Sequence, residues 1–249
     1  MNKIEMTFLF VAALIPVQAW GDTAYIDGNQ ILSEVDRNLE PPSYEMYRKL
    51  INIEPDGKRK EFMLYMVRKG NEKVGGLFLS PASDKGRTLL RLGDNMWLYI
   101  PNVGKPVRIT SLQSATGGVF NNADILRIDF SAEYNVEQLT DTVGEYVFNL
   151  KAKTKSVAYD RLRLWANKKS LLPTTIECLT EANMLIKTLH FKETKDFGGG
   201  IVRPSVIETD SPLYKGYKTI MIYAKIKRRP LNDEVFTINY MAKLKELRE

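Results

Sequence analysis

Few side chains in this 249-residue sequence have the type and spacing that chemistry requires. His190 is the single histidine, and its neighbours Leu189 and Phe191 place it in a predicted strand. A lone strand histidine indicates a structural role, since zinc sites need several His or Cys ligands. Cys178, the single cysteine, also lies in a predicted strand, where a thiol acts as a small buried apolar residue. We therefore expect no catalytic residue, no metal site and no cofactor.

Carboxylates and glycines give no stronger catalytic pattern. Asp124 and Asp129 have the chemistry to hold a cation, but we expect them to be solvated loop acids. The run Gly198–Gly200 lies between predicted strands and precedes no helix, so we interpret it as a turn and not as a phosphate-binding loop. The sequence has no Gly-x-Ser-x-Gly motif of a nucleophilic serine. These patterns predict a protein that is not an enzyme.

The N-terminus has the pattern of a cleavable secretory signal. Lys3 precedes the apolar run 6–15, which is shorter than the ~20 residues that span a bilayer. Pro16 ends the run, and Val17-Gln18-Ala19 places small residues where a signal peptidase cuts. We expect residues 1–19 to be a signal peptide and residues 20–249 to form one domain in the periplasm.

The formal net charge of +6 is modest. Basic residues cluster only at 58–60 and 225–229, which we interpret as solvated strand ends, with docking to an anionic surface as the alternative. We expect no nucleic acid partner for an exported protein.

The apolar pattern predicts a mainly β protein with two or three helices. A helix is predicted over 27–39, with Asp27 as its N-cap and Gln30 completing a capping box. About eleven strands follow at regular spacing, joined by short turns such as Pro55-Asp56-Gly57. No crossover helices separate them, which indicates an antiparallel meander.

Two stretches break this pattern. Residues 113–135 do not alternate, and we predict a helical turn or a lid-like loop near 122–128. Residues 237–247 are predicted to form a C-terminal helix.

Several predicted strands are apolar on both faces. Residues 62–67 (FMLYMV) and 96–100 (MWLYI) show this, whereas a sheet with one solvated face alternates apolar and polar residues. Both faces must therefore be covered. An ordinary packed core, a cavity along one face, and a closed barrel or dimer all remain open on this pattern.

Three consecutive segments carry a family resemblance: GDNMWLYIPN at 93–102, VRITS at 107–111 and GGVFNNADIL at 117–126. They resemble the outer-membrane lipoprotein-sorting protein family, within the LolA-like superfamily of periplasmic lipid and lipoprotein carriers. Residues 89–92 and 171–173 are also similar to that family. The segment Ala123–Leu126 differs from the longer acidic and aromatic stretch of many relatives, so any shared role of that loop is not carried over.

The resemblance implies a half-open antiparallel β-barrel whose open side is covered by helices and whose apolar groove takes acyl chains. It implies a periplasmic carrier that delivers lipoprotein or lipid toward the outer membrane, with membrane transport-system components as partners and transient membrane contact. The alternative is an envelope sensor on the same scaffold that detects lipoproteins or lipids without transporting them. We predict that the acyl chains contact two groups of residues: Met63, Tyr65, Leu77, Leu79, Met96, Leu98 and Ile100 on the sheet, and Ile31, Leu32 and Val35 on the first helix.

Overall fold

The computed structural model describes residues 27–248, so the predicted signal peptide lies outside the described residues. Their elements, in chain order, are α1 Gly28–Leu39, β1 Ser43–Ile53, β2 Arg59–Lys69, β3 Lys73–Ser80, β4 Thr88–Leu92, β5 Asn95–Tyr99, β6 Val107–Ile109, α2 Asn122–Ile125, α3 Phe130–Glu133, β7 Tyr134–Asp141, β8 Glu145–Ala152, β9 Arg161–Asn167, β10 Pro173–Leu179, β11 Leu185–Asp196, β12 Val202–Asp210 and β13 Lys218–Arg228. Two 3₁₀ helices, Asp233–Phe236 and Ile238–Arg248, follow, and we call residues 233–248 the C-terminal segment.

The strands form one antiparallel sheet that does not close, in the order β6-β5-β4-β3-β2-β1-β13-β12-β11-β10-β9-β8-β7. The pairing of β1 with β13 joins two meanders at the centre, and β6 and β7 are the free edges. The predicted mainly β, half-open barrel with covering helices is confirmed. The thirteen strands of the described residues exceed the predicted eleven partly because edge strand β7 is mostly exposed and has no apolar alternation.

The predicted first helix is confirmed with one correction to its cap. The Asp27 carboxylate accepts a hydrogen bond from the backbone amide of Asn29 (2.9 Å), so the capping box with Gln30 is wrong. A capping box does form at α2, between Asn121 and Asp124, inside the stretch predicted to hold a helical turn. The predicted C-terminal helix is instead 3₁₀-helical.

Two apolar layers explain why the strands are apolar on both faces. The concave face packs against α1, α2 and α3 in the main core, where Leu64 and Met66 of β2 are buried. The other face of β2–β5 packs against the C-terminal segment, where Tyr65 and Val67 are buried. Both faces of the same strand are therefore shielded from water within one chain.

Along the described residues, no helix is both long enough and apolar enough to cross a membrane. Cys178 is buried in the main core, as predicted, and burial raises the pKa of its thiol far above the usual range. The His190 Nε2 atom lies 3.0 Å from Asp210 at the partly exposed surface, and the structural role of His190 stays a prediction.

Candidate functional site

The candidate site is the concave interior of the sheet and the chain that covers it. Residues 110–133, which we call the cover segment, cross the concave face and include α2 and α3. The apolar side chains of Phe120, Ile125, Leu126 and Ile128 are buried in the main core. Helix α1 contacts α3, β7 and β12 and adds Leu32 and Val35 to the same core. The interior is therefore apolar and roofed by two separate pieces of chain.

The structure divides the predicted lipid-contacting residues between two faces. Six belong to or pack against the interior core: Ile31, Leu32, Val35, Met96, Leu98 and Ile100. Their contact with acyl chains remains a prediction.

The other four residues do not lie on the concave face, and their assignment to the groove is corrected here. Tyr65, Leu77 and Leu79 belong to the outer layer beneath the C-terminal segment. Met63 is two residues from Tyr65 on β2 and shares its side of the strand, because successive strand side chains alternate. A strand that is apolar on both faces does not show which face points inward, so sequence alone left this parity undetermined.

Basic side chains on the sheet fasten the cover segment through its backbone carbonyls. Arg48 Nη1 donates to Ile125 O (2.6 Å), and Arg91 Nη1 donates to Leu126 O (3.2 Å). Lys187 Nζ donates to Val119 O (2.7 Å). All three cations are buried, and they come from β1, β4 and β11. Their role was not predictable from the sequence, because a single basic residue in a strand has the same pattern whether it faces inward or outward.

Lys187 also forms a buried pair with Asp124, at 2.5 Å between Nζ and Oδ2, and Tyr159 Oη donates to the same carboxylate. Asp129 pairs with Arg68. The prediction that Asp124 and Asp129 are solvated loop acids is therefore wrong, because each neutralises a buried cation. Within residues 27–248, no group of three or more His, Cys, Asp or Glu side chains is arranged to hold a metal ion.

A second charged cluster surrounds Glu40, which directly follows α1. Its carboxylate lies within 4 Å of four arginines, namely Arg48, Arg68, Arg127 and Arg203, and it accepts a hydrogen bond from Tyr44 Oη (2.6 Å). Burial alone would raise the pKa of Glu40, but the arginine charges outweigh burial and hold this pKa well below its usual range. Glu40 is thus an ionised carboxylate in the interior, and it joins the end of α1 to β1, β2, β12 and the cover segment.

Asp36 links α1 to α3. Its two carboxylate oxygens accept hydrogen bonds from the backbone amides of Phe130 (2.8 Å) and Ser131 (2.9 Å), at the start of α3. Burial, and then the neighbouring charge of Asp129, raise the pKa of Asp36 to about 6, against the opposing effect of these hydrogen bonds. The contact between the two roof pieces therefore depends on a group that titrates near neutral pH.

This raised pKa predicts a pH-dependent stability difference between the protein and its Asp36→Asn variant. The folded-state pKa exceeds the unfolded value of about 3.9, so the stability that Asp36 supplies is complete below pH 4 and is lost as pH rises through 6. We expect the free energy of unfolding of the protein, relative to Asp36→Asn, to fall by about 1–3 kcal/mol between pH 4 and pH 7.5. Urea unfolding of both proteins across this range measures it. A constant difference would contradict the assigned pKa.

The space between the cover segment and the sheet includes one small cavity. A cavity of about 30 Å³ lies between the cover segment and the sheet, lined by residues that include Phe130, Tyr134, Tyr159, Leu162 and Ile176. This is close to the volume that one molecule occupies in liquid water, which is ~30 Å³. An acyl chain of many methylene groups does not fit in this cavity unless the surrounding chain moves.

A family model described as an uncharacterized protein matches residues 70–243, more than half of the chain. The chain belongs to this family. No curated protein matches the chain.

Solved structures identify the fold as LolA-like. A LolA superfamily protein from Nitrosomonas europaea is 26% identical, with a TM-score of 0.76 over 85% of this chain and 97% of that one. An outer membrane lipoprotein-sorting protein domain from Vibrio parahaemolyticus is 18% identical, with a TM-score of 0.72 over 86% of this chain and 98% of that one. A DUF1329 family protein from Desulfovibrio piger is 20% identical, with a TM-score of 0.74 over 86% of this chain and 97% of that one. The LolA-like resemblance predicted from residues 93–126 is confirmed.

Proposed function

We propose that this LolA-like protein is a periplasmic carrier that binds acyl chains of a lipid or lipoprotein in its concave interior and delivers them toward the outer membrane. The name of the Vibrio parahaemolyticus structure, an outer membrane lipoprotein-sorting protein domain, supports this proposal by analogy of fold. The proposed role involves binding and release without chemical conversion of the lipid.

The observation that carries the proposal is how the cover segment is held. Its apolar side chains fill the interior, whereas its backbone is fastened by hydrogen bonds from Arg48, Arg91 and Lys187. A hydrogen bond to a charged group contributes only about 1.5–3 kcal/mol net. An acyl chain gains about 0.8 kcal/mol for each methylene group that it buries. The three bonds together contribute about 4.5–9 kcal/mol, and a chain of about sixteen methylene groups that leaves water gains about 13 kcal/mol. Burial of such a chain can therefore offset the loss of these three hydrogen bonds.

The direct experiment is to purify the protein from the periplasm of an expression host and to identify bound molecules by native mass spectrometry. We expect a species whose added mass corresponds to an acylated lipid, and this mass should be lost after delipidation. Binding of a fluorescent fatty acid to the delipidated protein should then saturate at one site. A protein that carries no lipid and binds no fatty acid would contradict the proposal.

The Leu98→Glu variant tests where the acyl chain binds. Leu98 lies in the interior core, so a carboxylate there would have to share an apolar site with the ligand. We expect fatty acid affinity to fall by about a hundredfold or more, as measured by fluorescence titration. Ile100→Glu, at the half-buried position directly after β5, should act in the same direction at a smaller cost to folding.

Leu79→Glu is the matched control, because Leu79 lies on the opposite face of the same sheet. It should keep its affinity, and circular dichroism should show that all three variants are folded. Loss of binding in Leu79→Glu with retention in Leu98→Glu would place the ligand on the outer face instead.

A further inference from the structure

Two neighbouring turns at one rim of the sheet form a surface that is both apolar and basic. They are the connection 211–217 between β12 and β13 and the turn 54–58 between β1 and β2, and we call them, with the adjoining strand ends up to Lys60 and Lys218, the rim patch. We propose that the rim patch docks the protein on the surface of an anionic lipid bilayer. This inference goes beyond acyl-chain binding, because it concerns a separate surface and needs no cargo.

No element within residues 27–248 covers the apolar part of the patch. Leu213 is 66% exposed, Tyr214 is 52% exposed and Tyr217 is 39% exposed, all within one five-residue stretch. Tyrosine has an apolar ring and a polar hydroxyl, which suits the boundary between lipid headgroups and acyl chains. One leucine and two tyrosines exposed on one connection, beside lysines, are typical of a surface that inserts into that boundary.

The basic part supplies the charge complementarity. Residues 54–60 (EPDGKRK) and 212–218 (PLYKGYK) contain five basic residues and only two acidic ones. Lys58 pairs with Asp56, and Lys60 pairs with Asp84 of the next turn. Across the described part of the chain, no salt bridge involves Arg59, Lys215 or Lys218. Each basic residue near an anionic leaflet adds about 1 kcal/mol of attraction, which salt weakens.

The sheet holds the two turns side by side. Ile53, at the end of β1, pairs with Lys218 on one side and with Arg59 on the other, so all three lie in one row across the sheet. A Cβ atom on Gly216 would lie 3.1 Å from Pro55 Cβ, which shows that the two turns touch. The apolar and basic side chains are therefore presented together from a common rigid base.

The patch lies next to the cover segment. Val119 N donates to Thr219 Oγ1 (2.9 Å), one residue after Lys218, and Asn52 Nδ2 donates to Thr116 O (3.0 Å). A bilayer bound at the rim patch would thus lie beside the part of the roof that covers the interior. This last step rests on the proposed carrier function, whereas the docking itself does not.

The test is flotation of the processed, delipidated protein with vesicles. We expect binding to vesicles of phosphatidylcholine with about one third phosphatidylglycerol, little binding to pure phosphatidylcholine, and loss of binding at high salt. The double variant Leu213→Ser and Tyr214→Ser should bind the anionic vesicles at least about tenfold more weakly. The triple variant Arg59→Glu, Lys215→Glu and Lys218→Glu should not bind them.

Val143→Ser is the control, since Val143 is fully exposed in the β7–β8 turn, outside the rim patch. It should bind as the unchanged protein does. Equal binding of all variants, or equal binding to both kinds of vesicle, would overturn the proposal. So would loss of a dimer in the Leu213→Ser and Tyr214→Ser variant without any vesicle binding by the unchanged protein, since the patch would then join two copies. Fatty acid titration of the same variants should be unchanged, so that failure of docking is distinguishable from failure of the carrier function.

Discussion

Replacing Glu40 by glutamine is expected to destabilise the folded protein by about 3–5 kcal/mol, the cost of leaving buried charges without their partner. Glu40 neutralises part of a cluster of four arginines, of which Arg48 and Arg203 are almost completely buried and lie 4.8 Å and 4.0 Å from the Tyr223 ring centroid. Glutamine keeps the shape and one acceptor oxygen but not the charge. Urea unfolding followed by tryptophan fluorescence at pH 7 measures the difference.

The control is Glu61→Gln, which breaks an exposed pair with Lys49 on the outside of the sheet. Such a pair contributes at most about 1 kcal/mol. The pH dependence gives a second check: because the folded-state pKa of Glu40 is lowered, its contribution is present above its unfolded pKa of about 4.3 and is lost as pH falls below it. Equal effects of the two substitutions would show that the arginines are neutralised by other groups.

A disulfide between α1 and β7 is expected to slow the uptake of a fluorescent fatty acid by about tenfold or more, because it reduces the population of open molecules. Helix α1 has only twelve residues and is marginal by itself, so its place in the roof depends on packing. A Cβ atom on Gly28 would lie 3.4 Å from Leu139 Cβ, close to the separation of about 3.5–4.5 Å that disulfides require. Gly28→Cys with Leu139→Cys therefore fixes the start of α1 to the sheet.

Two further substitutions prevent mispairing of the thiols and a steric clash in this experiment. Cys178→Ala removes the natural thiol, and Val136→Ala relieves the 3.0 Å approach of Val136 Cγ1 to the new side chain. Stopped-flow fluorescence compares the oxidised and reduced forms, and reduction should restore the rate. The Gly28→Cys variant alone, treated in the same way, controls for effects of the oxidant. Equal rates in the oxidised and reduced double variant would mean that α1 is a fixed wall and that the ligand enters beneath the cover segment.

The sequence predicted the architecture well because the features that define it are local. Turn residues such as Pro55-Asp56-Gly57, and the N-cap Asp27, act through their own backbone conformation and nearest neighbours. The irregular stretch near 122–128 was also recognisable. A segment that crosses the concave face of the sheet shows neither the two-residue apolar period of a strand nor the 3.6-residue period of a helix. These signals are sufficient to predict an antiparallel meander and the position of the cover segment along the chain.

The interior charges were not predictable in the same way. The contact between Glu40 and Arg203 joins residues 163 positions apart, and that between Lys187 and Asp124 joins residues 63 positions apart. Each of these side chains resembles a surface charge until the fold places it opposite its partner. The side of the sheet on which Tyr65 and Leu77 lie was undetermined for a related reason. They are covered by the C-terminal segment, and nothing in the sequence of β2 or β3 indicates that this distant segment packs there.

The pairing of β1 with β13 at the centre of the sheet also has a consequence for folding. Strand β1 pairs with β13, and at its start Ser43 Oγ donates to the carbonyl of Arg229, 186 residues later. Until β13 is available, β1 and β12 each present an unpaired edge, and the interior charges contributed by β1 and by β12 cannot come together. Pairing at such long range is intrinsically slow. We therefore expect the pairing of β13 with β1 and β12 to be a late step in folding, because it joins the two meanders into one sheet.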